Sequence, residues 1–192
     1  MNRPARFPFA SRLLHWVMAA LILAMLFIGI AMAASLTDYH RLVTIHEPLG
    51  LLILVLAAVR VINRLLAPPP PLPAAMPRPM RLAAHGSHLL LYLLMVALPL
   101  VGWAMLSAAG YPILLLGTVE LPPILAPDAG LYALLRSAHT VLALLLFATF
   151  LGHLAAALAH ALLFRDGVFS SMAGFGGRRA AAARRIRPRA SA

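Results

Sequence analysis

The stretch Ser137–Phe164, SAHTVLALLLFATFLGHLAAALAHALLF, decides the fold. It is apolar over the length of a membrane span, yet it carries His139, His153 and His160. At 100° per residue, the 14 positions from His139 to His153 return to within about 40° of one direction and rise ~21 Å. The 7 further positions to His160 add ~10 Å and roughly keep the face. Ionisable groups are expensive in lipid and usually mark function there. Three imidazoles on one stripe therefore predict ligands at more than one membrane depth.

Composition agrees that lipid is the main solvent. Of 192 residues, 62% are hydrophobic and 11% charged, against about 45–50% and ~25% in a soluble domain. Mean hydropathy is +0.91. With no cysteine, disulfides, iron–sulfur clusters, thiolate zinc sites and thioether-linked haem are excluded. Histidine is left as the main metal ligand. All 16 basic residues are arginine and the net charge is +11. These arginines lie between and beyond apolar runs, a pattern that encodes membrane topology and argues against nucleic acid as a partner.

Working outward from the last span, three more are expected, at about 13–34, 45–66 and 85–107, with the last at 137–164. The first run follows Arg3, Arg6 and Arg12 and is too long for a signal-peptide core, so it reads as a retained helix. Pro48 is placed in the first turn of the second span, where proline is tolerated. Ala67–Arg81, APPPPLPAAMPRPMR, reads as a stiff extended connector. Pro99 is expected to bend the third span, and Gly102 to admit a close helix neighbour. Ala108–Arg136 reads as the longest loop, with Tyr111–Gly117 lying at the membrane interface. Residues 1–173 form one unit, and residues 174–192 an Arg-rich tail expected to be disordered and cytoplasmic.

Orientation follows from the arginines. Fourteen fall on the side of the N-terminus, the Pro-rich connector and the tail, and only Arg41 and Arg136 fall opposite. The positive-inside rule makes both termini cytoplasmic.

Topology gives each histidine a level. His46 pairs with His139 at the outer level, and His15 with His153 at the inner level. The 14-residue rung recurs from His46 to Arg60 and from His15 to Gly29. Arg60 would then face a haem propionate, and Gly29 and Gly50 would let a flat macrocycle approach the backbone. Zinc in such a site usually recruits carboxylates, and only Glu47 lies beside a span histidine. Two imidazoles per iron leave no open coordination position, which suits electron transfer. These residues thus predict an all-α membrane protein, a four-transmembrane-helix bundle binding two b-type haems.

The motifs that carry a family resemblance are Arg12-Leu-Leu-His15-Trp16, His46-Glu-Pro-Leu-Gly50 and Arg60-Val-Ile-Asn-Arg64. They continue with His85-Gly-Ser-His88 through Leu98-Pro99-Leu-Val-Gly102, and His139 through His153 and His160 to Phe164-Arg-Asp166-Gly167. Over about residues 8–173 the chain resembles the bacterial di-haem cytochromes b561, quinone-linked membrane cytochromes. The resemblance implies that His15, His46, His139 and His153 are axial ligands. It also points to the branch that oxidises periplasmic superoxide and reduces ubiquinone. Arg136 and Arg41, near the outer histidines, are then candidates for steering the superoxide anion. His160, His88 and Arg81 are candidates for quinone or propionate contact. Alternatives left open are an electron-transfer subunit served by a dehydrogenase or periplasmic cytochrome, a quinone site on the outer side, and a haem-free histidine-lined ion path.

Overall fold

The computed structural model describes residues 6–115 and 119–174. Four long helices dominate: α1 (Phe9–Ala34), α2 (Tyr39–Leu66), α3 (Arg78–Ala109) and α4 (Ala129–Ala159), the last continued by a π-helix, His160–Phe164. All four are long and apolar enough to cross a membrane. They run up and down, so the start of α1, the end of α2, the start of α3 and the end of α4 share one end of the bundle, called here the near end. Exposed Phe27, Ile30, Val55, Val141 and Leu144 suit lipid rather than water.

All four helices begin earlier than expected, α1 at Phe9 instead of Leu13 and the other three by more. α3 starts at Arg78 instead of His85, because Pro77 serves as N-cap and Pro79 fits the first turn, where its missing N–H costs nothing. The extended connector therefore ends before Arg78. α4 starts at Ala129 instead of Ser137, because the Asp128 carboxylate accepts the Leu131 N–H at 2.8 Å and caps it. α2 starts at Tyr39, so Pro48 sits well inside the helix and not in its first turn. α3 is continuous through Pro99.

The segment between α3 and α4 holds a short antiparallel hairpin, β1 (Ile113–Leu115) and β2 (Val119–Leu121), with Leu114 opposite Glu120. Trp103 Nε1 donates to the Pro122 carbonyl at 3.0 Å, and Ser107 Oγ accepts the Ile124 N–H at 3.2 Å. The segment is thereby tied to α3 over the far end. At the near end α5 (Val168–Ala173) lies against the start of α1. The Phe7 N–H donates to the Ser171 carbonyl at 3.3 Å, Trp16 Nε1 to that of Met172 at 3.4 Å, and Arg12 to that of Gly174. The expected Arg-rich tail lies, beyond Gly174, outside the described residues.

Packing is closest between α3 and α4 and between α1 and α2, with α2 on α3 completing the bundle. The core is Met18 and Ile22 of α1, Ile53 and Ala57 of α2, Leu94, Met95 and Leu98 of α3, and Leu146 of α4. Its pairs four apart lie on one helical face, one turn from each other. Four of these residues form a layer with a regular relation to the histidines. Ile22 lies 7 residues from His15 and from Gly29, and Ile53 7 from His46 and from Arg60. Met95 lies 7 from His88 and from Gly102, and Leu146 7 from His139 and from His153. Seven residues are close to two turns and ~10 Å of rise. A dry apolar layer, none of whose members is more than 7% exposed, therefore separates two polar levels.

Candidate functional site

The near level is built by one residue from each helix: His15, Arg60, His88 and His153. The rings of His15 and His153 are 6.2 Å apart between centroids, inclined at 71°. His88 stands 5.2 Å from the His153 ring. Since α3 begins at Arg78, His88 lies almost three turns inside the helix rather than at its edge. Arg60 organises the level. Its Nε donates to the Tyr92 hydroxyl at 3.0 Å and an NH2 group donates to His15 Nδ1 at 3.1 Å. Arg64 stacks near the Tyr92 ring, 5.8 Å from its centroid. Beside them Asn63 donates to Ser11 Oγ at 2.7 Å. Arg60, Asn63, Arg64, Tyr92 and Ser11 line a small cavity of about 20 Å³ at this end.

The far level holds Gly29, His46, Gly102 and His139. The His46 and His139 rings are again 6.2 Å apart, inclined at 63°. His139 lies against Gly102, where the absence of a side chain leaves room for the ring. A Cβ on Gly29 would meet nothing within 4 Å, and one on Gly50 would meet only the Met25 methyl, at 3.6 Å. Both glycines therefore border open or yielding space.

The remaining predicted site residues lie apart from these levels. Arg81 donates to the Met76 carbonyl at 3.3 Å, holding the end of the connector. Arg41 is exposed in the first turn of α2. Arg136, expected in a loop, is in α4 one turn before His139, and donates to the Tyr132 hydroxyl at 3.1 Å. His160 is buried, with Nδ1 donating to Asp166 Oδ2 at 2.7 Å. The sequence reading gave no role to Tyr92 or Asp166, and it expected Gly102 to admit a close helix neighbour without naming His139. For Gly102 a signal existed, because it follows His88 by the same 14 residues that separate His139 from His153.

The site's own geometry tests what group fits. A metal–imidazole bond is ~2 Å long, so two imidazoles on opposite sides of one metal have ring centres about 6 Å apart, as both pairs have. α4 is not among the close neighbours of α1 or α2, and the paired rings reach across those wider spaces. Nδ1 of His46, Nδ1 of His139 and one NH group of Arg60 are buried without a hydrogen-bond partner among the described residues, a condition native proteins seldom leave unexplained. Histidines grouped in pairs fit a metal whose other ligands come from a macrocycle. The third Arg60 donor fits a carboxylate such as a propionate. The residues present therefore fit haem.

Comparison with known proteins agrees. The sequence model of prokaryotic cytochrome b561 matches residues 6–175. The chain is 38% identical over 136 residues to Escherichia coli (strain K12) cytochrome b561 homolog 2, covering 69% of this chain and 71% of that one. It is 30% identical over 161 residues to a Yersinia pestis protein named probable superoxide oxidase CybB, covering 83% and 90% respectively. Four apolar helices, paired imidazoles between them and a match along nearly the whole described length lead to one conclusion: the chain belongs to the prokaryotic cytochrome b561 family, membrane proteins that bind haem b and transfer electrons.

Proposed function

We propose that this protein is a di-haem electron conduit of the bacterial inner membrane that oxidises superoxide on the periplasmic side and reduces ubiquinone. In this reading His46 and His139 hold the outer haem, and His15 and His153 the inner one. The observation that carries it is the equal 6.2 Å separation of both ring pairs, set on one helix by histidines 14 residues apart. Bis-imidazole haem supplies one-electron transfer with no open position for oxygen.

The chain's own residues do the rest. α4 fixes the distance between the two sites, because ~21 Å of helix separates its histidines. Arg60 holds its guanidinium at the inner level through Tyr92, where it neutralises a propionate. The layer of Ile22, Ile53, Met95 and Leu146 keeps water out between the levels. Arg136, one turn from His139, and Arg41 draw the superoxide anion to the outer end. The quinone meets the inner end, where His160, His88 and Arg81 supply donors. The arginine excess at the near end supports both termini being cytoplasmic. The name of the Yersinia pestis relative supports superoxide as donor.

One observation favours a second reading, an electron-transfer subunit with a protein donor. Asp38, Glu47, Glu120 and Asp128 are all toward the far end, against Arg41 and Arg136. That balance suits a basic protein surface better than a small anion. Stopped-flow mixing of purified protein with superoxide and a short-chain ubiquinone separates the two. The proposal expects quinol to form much faster than superoxide dismutes spontaneously. Quinol formation no faster than dismutation, with rapid haem reduction by a periplasmic cytochrome or dehydrogenase, would establish the second reading instead.

A further inference from the structure

α3 supplies no ligand in the reading above, yet it lies against both ligands carried by α4. The two helices run antiparallel and are the most closely packed pair in the bundle. His88 and Gly102 stand 14 residues apart on α3, as His139 and His153 do on α4. His88 therefore meets His153 at the near level, and Gly102 meets His139 at the far level. Met95 and Leu146 lie midway between them, both buried.

The His88 and His153 rings are 5.2 Å apart between centroids and inclined at 65°, the edge-to-face geometry that aromatic rings favour. That is closer than the 6.2 Å of His15 and His153, and too close for one metal to stand between them, which needs about 6 Å. His88 is thus a lateral neighbour of His153. The torsion that turns an imidazole about its Cβ–Cγ bond is broad, so the chain alone does not choose the ring plane. A single bond from nitrogen to iron does not choose it either. The plane is set by what stands beside the ring. α4 offers little there: the turn after His153 presents only Ala156 and Ala157, and the preceding residue is Gly152. Among the described residues, the rings in contact with His153 are those of His15 and His88, and His15 would stand across the iron. An imidazole nearly three turns inside a membrane-spanning helix is a costly residue to use for packing alone.

We infer that His88 is a positioning residue for the inner haem: its ring holds the plane of the His153 imidazole, as the bare backbone at Gly102 does for His139 at the outer level. The inference rests on the proposed ligand pairs and not on the identity of the electron donor or acceptor. Groups behind a metal ligand orient it and thereby tune the metal. The angle between the two imidazole planes at a low-spin ferric iron sets the splitting of its d orbitals, and with it the largest g-value of the EPR signal. A ring held in one plane need not turn when the electron arrives, which lowers the reorganisation that accompanies transfer. α3 presents a ring at one level and main chain at the other, so the planes of the two α4 ligands are held by different means.

EPR of the oxidised, haem-loaded, detergent-purified protein tests this, with His88→Ala and His88→Phe beside the wild type. The inner signal is the one that survives in His139→Ala and is lost in His15→Ala. His88→Ala is expected to move the largest g-value of the inner signal by more than its line width and to leave the outer signal in place. His88→Phe restores a flat ring and should bring the inner signal back toward its wild-type position. An inner signal unmoved in His88→Ala would overturn the inference and leave His88 as a donor to quinone alone. A displacement as large in His88→Phe as in His88→Ala would also overturn it, as would movement of both signals together, which reports general repacking. Loss of the inner haem in His88→Ala with retention in His88→Phe would support it. Loss in both would overturn it, because a flat ring would then not replace the imidazole. One haem per wild-type chain by the pyridine haemochrome assay would refute the ligand pairs themselves, and the inference would fall with them.

Discussion

A Cβ placed on Gly102 of α3 would stand 3.4 Å from Cε1 of His139 on α4 and 3.7 Å from its Nδ1. This close approach belongs to the tightest helix pair in the bundle, and it limits how far the His139 ring can turn. A methyl group just fits at that distance, whereas a larger side chain must displace the imidazole. Gly102→Ala is expected to keep both haems and to cost less than about 1 kcal/mol, since alanine also favours helix. Gly102→Leu is expected to perturb the outer haem alone, read as loss or shift of one of two haem redox waves, with overpacking of roughly 1–3 kcal/mol. Redox titration followed at the alpha band makes the comparison.

Arg60 stands at the opposite level, bonded to Tyr92 and His15. A fixed positive charge favours the reduced, less positive haem. Arg60→Leu should therefore lower the inner haem midpoint potential, by on the order of 50–100 mV for the loss of one nearby charge in a partly solvated protein. Tyr92→Phe removes only the hydroxyl that steadies the guanidinium, and the shift should keep its sign and be smaller. A potential that rises in Arg60→Leu would contradict this electrostatic role.

Arg136 lies one turn before His139 and is exposed. If it steers superoxide, Arg136→Gln should lower the second-order rate constant for haem reduction by superoxide roughly three- to tenfold at low ionic strength. The difference from wild type should close as salt is added, because the Debye length falls from about 30 Å at 0.01 M to 3 Å at 1 M. A rate constant unchanged at low salt would remove Arg136 from the account.

Asp128 caps α4 through the Leu131 N–H. Asp128→Ala should destabilise the fold by about 1 kcal/mol, seen as a lower thermal midpoint by circular dichroism, with the haem spectrum unaltered below the transition. A spectral change at low temperature would mean that the cap also positions His139, about three turns further on.

Much of this was legible in the sequence, because membrane spans and rungs of seven both follow from helix periodicity. The four spans and the family were readable from apolar length and motif order. The histidines paired by depth, His46 with His139 and His15 with His153, have ring centroids 6.2 Å apart, and His88 stands closer still to His153, at 5.2 Å. Helix starts were misjudged at Arg78 and Ala129, where a proline in the first turn and an aspartate cap extended helices into stretches that looked like connector and loop. Asp166 was not legible as a partner of His160, because the contact depends on a π-turn and two left-handed residues that no periodic pattern encodes. Glu120 and its neighbours form a hairpin over the far end, which a search for apolar spans does not detect.

The central claim is that the two imidazole pairs hold two separate haems. The pyridine haemochrome assay on purified wild type, His139→Ala and His15→Ala, each paired with a redox titration, tests it most directly. The account predicts two haem b per wild-type chain and one in each variant. His139→Ala should keep the redox wave that Arg60→Leu shifts, and His15→Ala should lose that wave and keep the other. One haem in the wild type, or the same surviving wave in both variants, would contradict it.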